Sequence, residues 1–301
     1  MTRRQTLRSI LTREEIGFFP GVHDALSAKL AADHPSVEGL QHSGYGTAAS
    51  LLGLPDLDFT SLTETVATVR NMVRVADETP VVVDADTGFG GIANLTRTVS
   101  ELENTGAAGL FIEDQATPKK CGLMEGKQLI EPGEMAAKVS AACDSRRDED
   151  FVIMARTDSY ADHGVEAVID RADIYTEAGA DALFLGEVVP LTDLETICSV
   201  VDLPVYALMV RMEHEAFPPA HPVSAYEEAG VALVSDVTAL LQVAVHHMQA
   251  YLDAMGEQQD NRDIEMLPLN QLTEYLGAPE YEAFETAHRD GVKSLEQDSQ
   301  T

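Results

Sequence analysis

Short, unbroken apolar runs recur along the chain with amphipathic stretches between them. The runs are GFFPGV at 17-22, VEGLQHSG at 37-44, PVVVDAD at 80-86 and GLFIED at 109-114, then FVIMAR at 151-156, DALFLGE at 181-187, PVYALM at 204-209 and VALVSD at 231-236. Runs that do not alternate with polar residues suit parallel strands covered on both faces. The stretches at 61-76, 94-106 and 164-180 have helical spacing, with Thr60 or Ser61, Gly106 and Gly179 as cap signals. Strand then helix, repeated about eight times, predicts an α/β fold closed as a (β/α)8 TIM-type barrel over residues 1-255. A doubly wound sheet is the second choice. The last helical segment of the barrel, 237-255, ends in the polar stretch GEQQDNRD. Beyond it, 256-301 reads as a helical C-terminal extension that packs on the barrel or on a neighbouring subunit.

Charge narrows the class of partner. The formal net charge is −31, and lysine occurs only at 29, 119, 120, 127, 138 and 293. Such a field repels polyanions, so no nucleic-acid partner is expected. It also opposes an anionic substrate unless salt screens it or the pocket is locally basic, and three of the six lysines do fall between 119 and 127. Acid excess spread along a whole chain suits a cytoplasm at very high salt, so a halophilic source is expected. No stretch approaches the roughly 18 apolar residues of a membrane span, and charges interrupt the N-terminus MTRRQTLRSILTREE where a signal peptide needs an apolar run. The expectation is a cytoplasmic protein with no membrane partner. Three scattered cysteines argue against a disulfide framework. Cys143 and Cys198 lie in apolar-periodic stretches and read as buried structural residues.

In a barrel the chemistry gathers at the C-terminal ends of the strands. There the chain offers Asp24; Ser43, Gly44 and Tyr45; Asp84 and Asp86; Glu113 and Asp114; Arg156 and Asp158; Glu187; and Asp236. Asp84 and Asp86, two apart, are expected on one face of a strand. Their oxygens suit Mg2+ or Mn2+, with Glu113 joining through water, unless they are a solvated strand end. TGFGG follows as a loop that a ligand can approach closely. Arg156 is either a bidentate carboxylate clamp or an internal ion pair with Asp158 or Glu187. Ser43-Gly44-Tyr45 offers a hydroxyl and N–H groups to a carboxylate, or is an ordinary turn. PKKCGLMEGKQLIEP at 118-132 is long, basic and punctuated by glycine, as an active-site lid is. Lys119 and Lys120 beside Cys121 are expected to lower its pKa and favour thiolate; a free surface cysteine is the alternative. The histidines show no metal-ligand spacing.

Taken in order, FPGVHDALSAKL, SGYGTAASLLGLPD, VVVDADTGFGG, GLFIEDQATPKKCG, FVIMARTDS and Glu187 resemble the isocitrate lyase and phosphoenolpyruvate mutase superfamily over some 170 residues from position 19. The likeness is strongest to its short 2-methylisocitrate lyase branch. It implies a barrel whose last helix is exchanged with a partner, commonly in a homotetramer. It implies Mg2+ on Asp84 and Asp86 with Glu113 in its water shell, and Ser43, Gly44, Tyr45, Gly122 and Arg156 holding the 2-oxo acid end of a small carboxylic acid. Asp56 of GLPD then sits near the pocket mouth, Cys121 is the acid/base on the lid, and Glu187 contacts substrate. The implied reaction is a retro-aldol-type carbon-carbon cleavage releasing pyruvate or glyoxylate.

At the far end of the pocket the chain departs from that pattern. Leu123 stands where the lyases have histidine, Leu208 and Val210 align with an asparagine and a threonine, and Leu241 falls near an arginine. Those groups bind the leaving half's carboxylates, and leucines cannot replace them without leaving charge unpaired. An alkyl-substituted malate fits the leucines better, while Arg211 or His214 could supply a displaced cation and keep methylisocitrate or isocitrate in play. Phosphonomutase chemistry, oxaloacetate hydrolysis or decarboxylation, and a non-catalytic barrel are the rival readings.

Overall fold

The first apolar run works as two strands, and that is how the sheet closes. The computed structural model describes residues 1–212, 221–257 and 259–298, without the side chains of 290–298. Helix α1 (Arg3–Thr12) precedes β1 (Gly17–Phe18) and β2 (Gly21–Val22), which lead through α2 (Ala25–Ala32) to β3 (Leu40–His42). A short helix α3 (Gly44–Thr47) and then α4 (Leu62–Val75) follow, before β4 (Val81–Asp84), α5 (Ile92–Asn104) and β5 (Gly109–Glu113). The alternation continues through α6 (Pro132–Ser145), β6 (Val152–Thr157), α7 (Tyr160–Glu177), β7 (Ala182–Leu185), α8 (Leu191–Val200) and β8 (Val205–Met209). It ends with α9 (Val223–Glu228), β9 (Leu233–Asp236) and α10 (Ala239–Glu257). All strand pairs are parallel, and their order runs β1-β9-β8-β7-β6-β5-β4-β3-β2. Gly17 and Phe18 pair with Leu233 and Val234, whereas Gly21 and Val22 pair with Gln41 and His42. One continuous stave, 17–22, therefore joins both ends of the ring and gives the expected (β/α)8 barrel.

Continuous apolar runs conceal an alternation that the barrel sorts. Val81, Val83, Leu110, Ile112, Ile153, Ala155, Leu183 and Leu185 pack outward under the helices. Val82, Phe111, Met154, Phe184, Tyr206 and Leu208 fill the interior. Phe184 lies 4.4 Å from both Phe111 and Tyr206, ring centre to ring centre. Helix α1 supplies Leu7, Ile10 and Leu11 to this inner cluster, one helical face spaced three and four apart. Thr2 and Gln5 cap it reciprocally. The N-terminal segment is thus a plug for the barrel, a helix the charge-interrupted sequence at 1-15 did not announce.

The other helices begin where the capping signals stand. Ser61 and Glu64 form a capping box on α4, which buries Val66, Val69 and Val73. Asp24, expected among the strand-end site residues, instead caps α2, its Oδ1 accepting from the Ser27 N–H at 2.7 Å. By contacts the chain divides into two compact units, Met1–Ala244 and Val245–Thr301. The second holds the end of α10 together with α11 (Leu269–Tyr275) and α12 (Ala278–Asp298). Among the described residues no helix is long and apolar enough to cross a membrane.

Candidate active site

The interior rows of the barrel change character one step above the aromatic layer. On β4 the interior position after Val82 is Asp84, on β5 the one after Phe111 is Glu113, and on β6 the one after Met154 is Arg156. Glu113 and Arg156 are register partners across β5 and β6. The Arg156 guanidinium lies over Phe111 and Phe184, 5.9 and 5.6 Å from the ring centres, so the apolar plug floors the charged layer.

Asp86 reaches this layer by a different route from the one its spacing suggests. It lies past the end of β4 with φ +47°, so strand alternation does not set its direction. The turn does: the Asp86 N–H donates to Asp84 Oδ1 at 3.0 Å. Both carboxylates then border Gly44, where an added Cβ would sit 2.7 Å from Asp84 Oδ2 and 3.6 Å from Asp86 Oδ1. Ser43 caps α3, accepting from the Gly46 N–H at 3.0 Å, and its own hydroxyl hydrogen stays available. The N–H groups of Gly44 and Tyr45 open the helix and have no intrahelical acceptor. The structure therefore brings Ser43, Gly44 and Tyr45 beside Asp84 and Asp86.

Two cations hold this acidic mouth together. Arg156 Nη2 contacts Glu113 Oε2 at 3.0 Å, and Nε and Nη2 donate to Asp158 Oδ1 at 3.3 and 3.2 Å. Nη1 lies 3.8 Å from Asp84 Oδ2. The internal ion pair to Asp158 is thus real, while Glu187 pairs elsewhere. The second cation is Lys119, read in the sequence only as a neighbour of Cys121. It is 1% exposed, with Nζ 2.5 Å from Asp56 Oδ1 and 2.7 Å from Asp86 Oδ1. Burial opposes its charge, but Asp86, Glu113, Asp56 and Asp84 outweigh burial and hold its pKa well above the ordinary lysine range.

Carboxylates still exceed cations here, and the shortfall shows in two ways. Burial, then Asp86, pushes the Asp84 carboxyl up to about 6, and burial drives Glu113 well above the usual carboxylate range despite Arg156. In addition, Asp86 Oδ1 and both Glu113 oxygens are buried without a hydrogen bond of proper angle, the cation contacts notwithstanding. Hard oxygens crowded in this way fit Mg2+ or Mn2+. Among the described residues no three His, Cys, Asp or Glu side chains close into one metal cluster.

The lid segment lies down on this layer. The Cys121 N–H donates to the Asp56 carbonyl at 3.1 Å. At Gly122 an added Cβ would fall 2.1 Å from the Gly186 carbonyl and 2.8 Å from both Arg156 Nη2 and Asp158 Oδ1, so only glycine seats there. Lys127 Nζ bonds the Gly122 carbonyl at 2.5 Å and also Glu187, which in turn accepts from the Ala161 N–H at 3.1 Å. Glu187 is therefore brought to the underside of the lid. The expected thiolate is corrected: burial, followed by Asp56, pushes the half-buried Cys121 thiol up to about 11, against the weaker pull of the Leu123 N–H, Arg156 and Lys119. Sequence proximity to lysines misled because Lys119 is spent on Asp56 and Asp86.

The end of β8 stays apolar. Leu208 and Val210 belong to the interior cluster, with Leu123, Val188 and Val237 packed against it. Leu241 is half-buried on α10, and Arg211 is exposed. His214 lies outside the described residues. His42, which no motif singled out, is buried and pushed down to about 4 by burial, with Nε2 2.9 Å from Thr47 Oγ1, so it serves as a neutral brace.

Comparison with known proteins adds to this geometry. The chain matches the phosphoenolpyruvate phosphomutase family over residues 7–255. A probable 2-methylisocitrate lyase 2 of Corynebacterium glutamicum is 39% identical over 286 residues, 94% of this chain and 91% of that protein. A 2,3-dimethylmalate lyase of Eubacterium barkeri is 41% identical over 185 residues, 62% of this chain and 63% of that protein. A crystal structure of 2,3-dimethylmalate lyase superposes with a TM-score of 0.86 at 30% identity, covering 96% of each chain.

Proposed function

Since the chain belongs to the phosphoenolpyruvate phosphomutase family, we propose that it is a carbon-carbon lyase acting on an alkyl-substituted malate, releasing pyruvate or a similar 2-oxo acid. The observation that carries the substrate is that Leu208 and Val210, at the end of β8, pack with Leu123, Val188 and Val237 into an apolar set with no charged side chain among them; we take this set as the wall and the charged layer of Asp84, Glu113 and Arg156 as the floor. A carboxylate and hydroxyl fit the floor, and an alkyl-bearing leaving half fits the wall, where a second carboxylate would be desolvated without a partner.

Asp84 and Asp86 would hold Mg2+, with Glu113 in its water shell. When bound, the ion polarises and orients the carboxylate and neighbouring oxygen of the substrate. Ser43, the N–H groups of Gly44 and Tyr45, and Arg156 orient the 2-oxo acid end. As the C2 hydroxyl proton passes to water, the bond between C2 and C3 breaks, C2 becomes the carbonyl of the 2-oxo acid, and a carboxylate-stabilised carbanion remains at C3. Cys121 Sγ–H protonates it. A thiol held neutral by burial suits a proton donor, and Arg156, Lys119 and the Leu123 N–H favour the thiolate that forms. Lys119 and Asp56 position the cysteine's backbone against the floor. Helix α10 buries none of its residues, and Val245, Met248, Leu252 and Met255 leave an apolar stripe exposed. That stripe supports a homotetramer with exchanged last helices, testable by light scattering.

The test is turnover of 2,3-dimethylmalate, 2-methylisocitrate, isocitrate and oxaloacetate in high salt with Mg2+, with and without chelator, following pyruvate, glyoxylate and oxalate. Chelator-sensitive cleavage fastest on dimethylmalate is expected. Activity confined to oxaloacetate moves the protein to hydrolysis or decarboxylation, and silence across the panel defeats the lyase reading.

A further inference from the structure

Gln115 plays no part in the chemistry above, yet it joins the lid to the floor. It lies just beyond β5, 1% exposed, at the root of the lid, where it forms an antiparallel bridge with Leu129. The residue before it, Asp114, accepts from Thr157 Oγ1 at 2.7 Å, the Asp158 N–H at 3.0 Å, Arg171 Nη1 at 3.0 Å and the Tyr175 hydroxyl at 2.9 Å. These bonds tie the ends of β5 and β6 to α7, so the base of the Gln115 side chain is fixed.

From that base the amide reaches both backbone groups of Lys120, the residue before the thiol. Its Oε1 accepts the Lys120 N–H at 3.0 Å, and its Nε2 donates to the Lys120 carbonyl at 2.8 Å. The second Nε2 hydrogen goes to Asp158 Oδ2, also at 2.8 Å. One donor and two acceptors around it leave a single orientation for the amide. Asp158 accepts from Arg156 Nε and Nη2 at Oδ1, and its Oδ2 is also 3.2 Å from Nη2. An unbroken line therefore runs from the lid backbone through an amide and a carboxylate to the guanidinium.

We infer that Gln115 is a positioning residue that latches the seated lid and couples its seating to Arg156. It grips backbone alone, so it registers where the lid lies and not which side chain Lys120 carries. With the lid raised, the amide loses two of its three partners and Asp158 loses a fixed neighbour. With the lid down, Cys121 and Arg156 are set together. Coupling of this kind is reciprocal: a carboxylate engaged by Arg156 favours the seated lid by the same factor that the seated lid favours the carboxylate. The consequence for turnover rests on the lyase reading, but the latch can be tested without any substrate.

The test uses the full chain and two variants: Gln115→Leu, similar in size without hydrogen bonds, and Gln115→Asn, one methylene too short to span both partners. Iodoacetamide labelling is followed by peptide mass mapping, with Cys143 and Cys198 as internal references. In Gln115→Leu, Cys121 should alkylate at least tenfold faster while the two references hold their rates, and kcat should fall by a larger factor than KM rises. If Gln115→Leu unfolds, all three cysteines accelerate together, and Gln115→Asn carries the test. Cys121 alkylation within twofold of the parent in the folded variants overturns the latch. Selective acceleration in a protein whose parent cleaves none of the panel sustains the latch and refutes the lyase reading.

Discussion

Replacing Gly122 with alanine adds one methyl group at the point where the lid meets the floor. Its Cβ would lie 2.1 Å from the Gly186 carbonyl oxygen and 2.8 Å from Arg156 Nη2 and Asp158 Oδ1, roughly 1 Å or more inside ordinary contact. Gly186 cannot retreat readily, because its N–H is bonded to the Thr157 carbonyl at 3.1 Å and its own face is crowded by Asp158. The lid must lift instead. Lifting it gives up the two Lys120 bonds to Gln115, the Cys121 N–H bond to Asp56 and the Lys127 bond to the Gly122 carbonyl. At about 0.5–1.5 kcal/mol net for each, with some rehydration, the closed state loses about 2–4 kcal/mol. That converts to a fall in kcat of about 30- to 1000-fold. A lactate dehydrogenase-coupled assay for pyruvate measures it, and calorimetry should find Tm lowered only slightly, because Leu123 and Ile130, at the edges of the two core clusters, are the lid's only members there. A variant that keeps kcat within threefold of the parent would refute the claim that the seated lid is the working one.

Because the Cys121 thiol titrates only near 11, its donor form persists across the neutral and mildly alkaline range; turnover should hold through pH 9 and fall only above it, and a decline setting in below pH 8 would count against a neutral thiol donor. Linkage has the same sign: the raised thiol pKa contributes stability that is complete below pH 9 and lost as pH climbs toward 11. Leu208→Asn puts an amide into the apolar wall, so dimethylmalate turnover should drop about 10- to 100-fold relative to methylisocitrate; an unchanged ratio removes Leu208 from specificity. With a net charge of −31, Tm should rise steadily between 0.1 and 2 M KCl as the screening length contracts from about 10 Å to under 3 Å, and a flat or falling Tm would dismiss the high-salt assignment.

The barrel was legible because parallel strands covered on both faces must be apolar throughout, and eight such runs leave few other architectures. What those runs hid was which residues face inward. Asp84 and Arg156 continue interior rows that only the register reveals, and Asp86 joins them through a left-handed turn rather than strand alternation. Helix α1 was obscured by Arg3, Arg4 and Arg8, although Leu7, Ile10 and Leu11 carried its apolar face in plain sight. Lys119 shows the limit most clearly. Beside Cys121 in sequence it looked like an activator of the thiol, but folding delivers its charge to Asp56 and Asp86 and encloses the sulfur, which reverses the expected shift. Gln115 carried no signal at all, since its partners are backbone atoms of Lys120 and a carboxylate just past the end of β6.

The stave at 17–22 is hydrogen-bonded to neighbours that the ribosome delivers at very different times. Gly21 and Val22 can meet Gln41 and His42 early, but Gly17 and Phe18 must wait for Leu233 and Val234. Until then the nascent sheet has one open edge on each side of the missing seam, and Phe19, buried in the finished interior, has no complete cavity to enter. Closure of the ring is thus the most non-local step the chain takes, and the one at which folding is slowest and the exposed edge most open to a wrong partner.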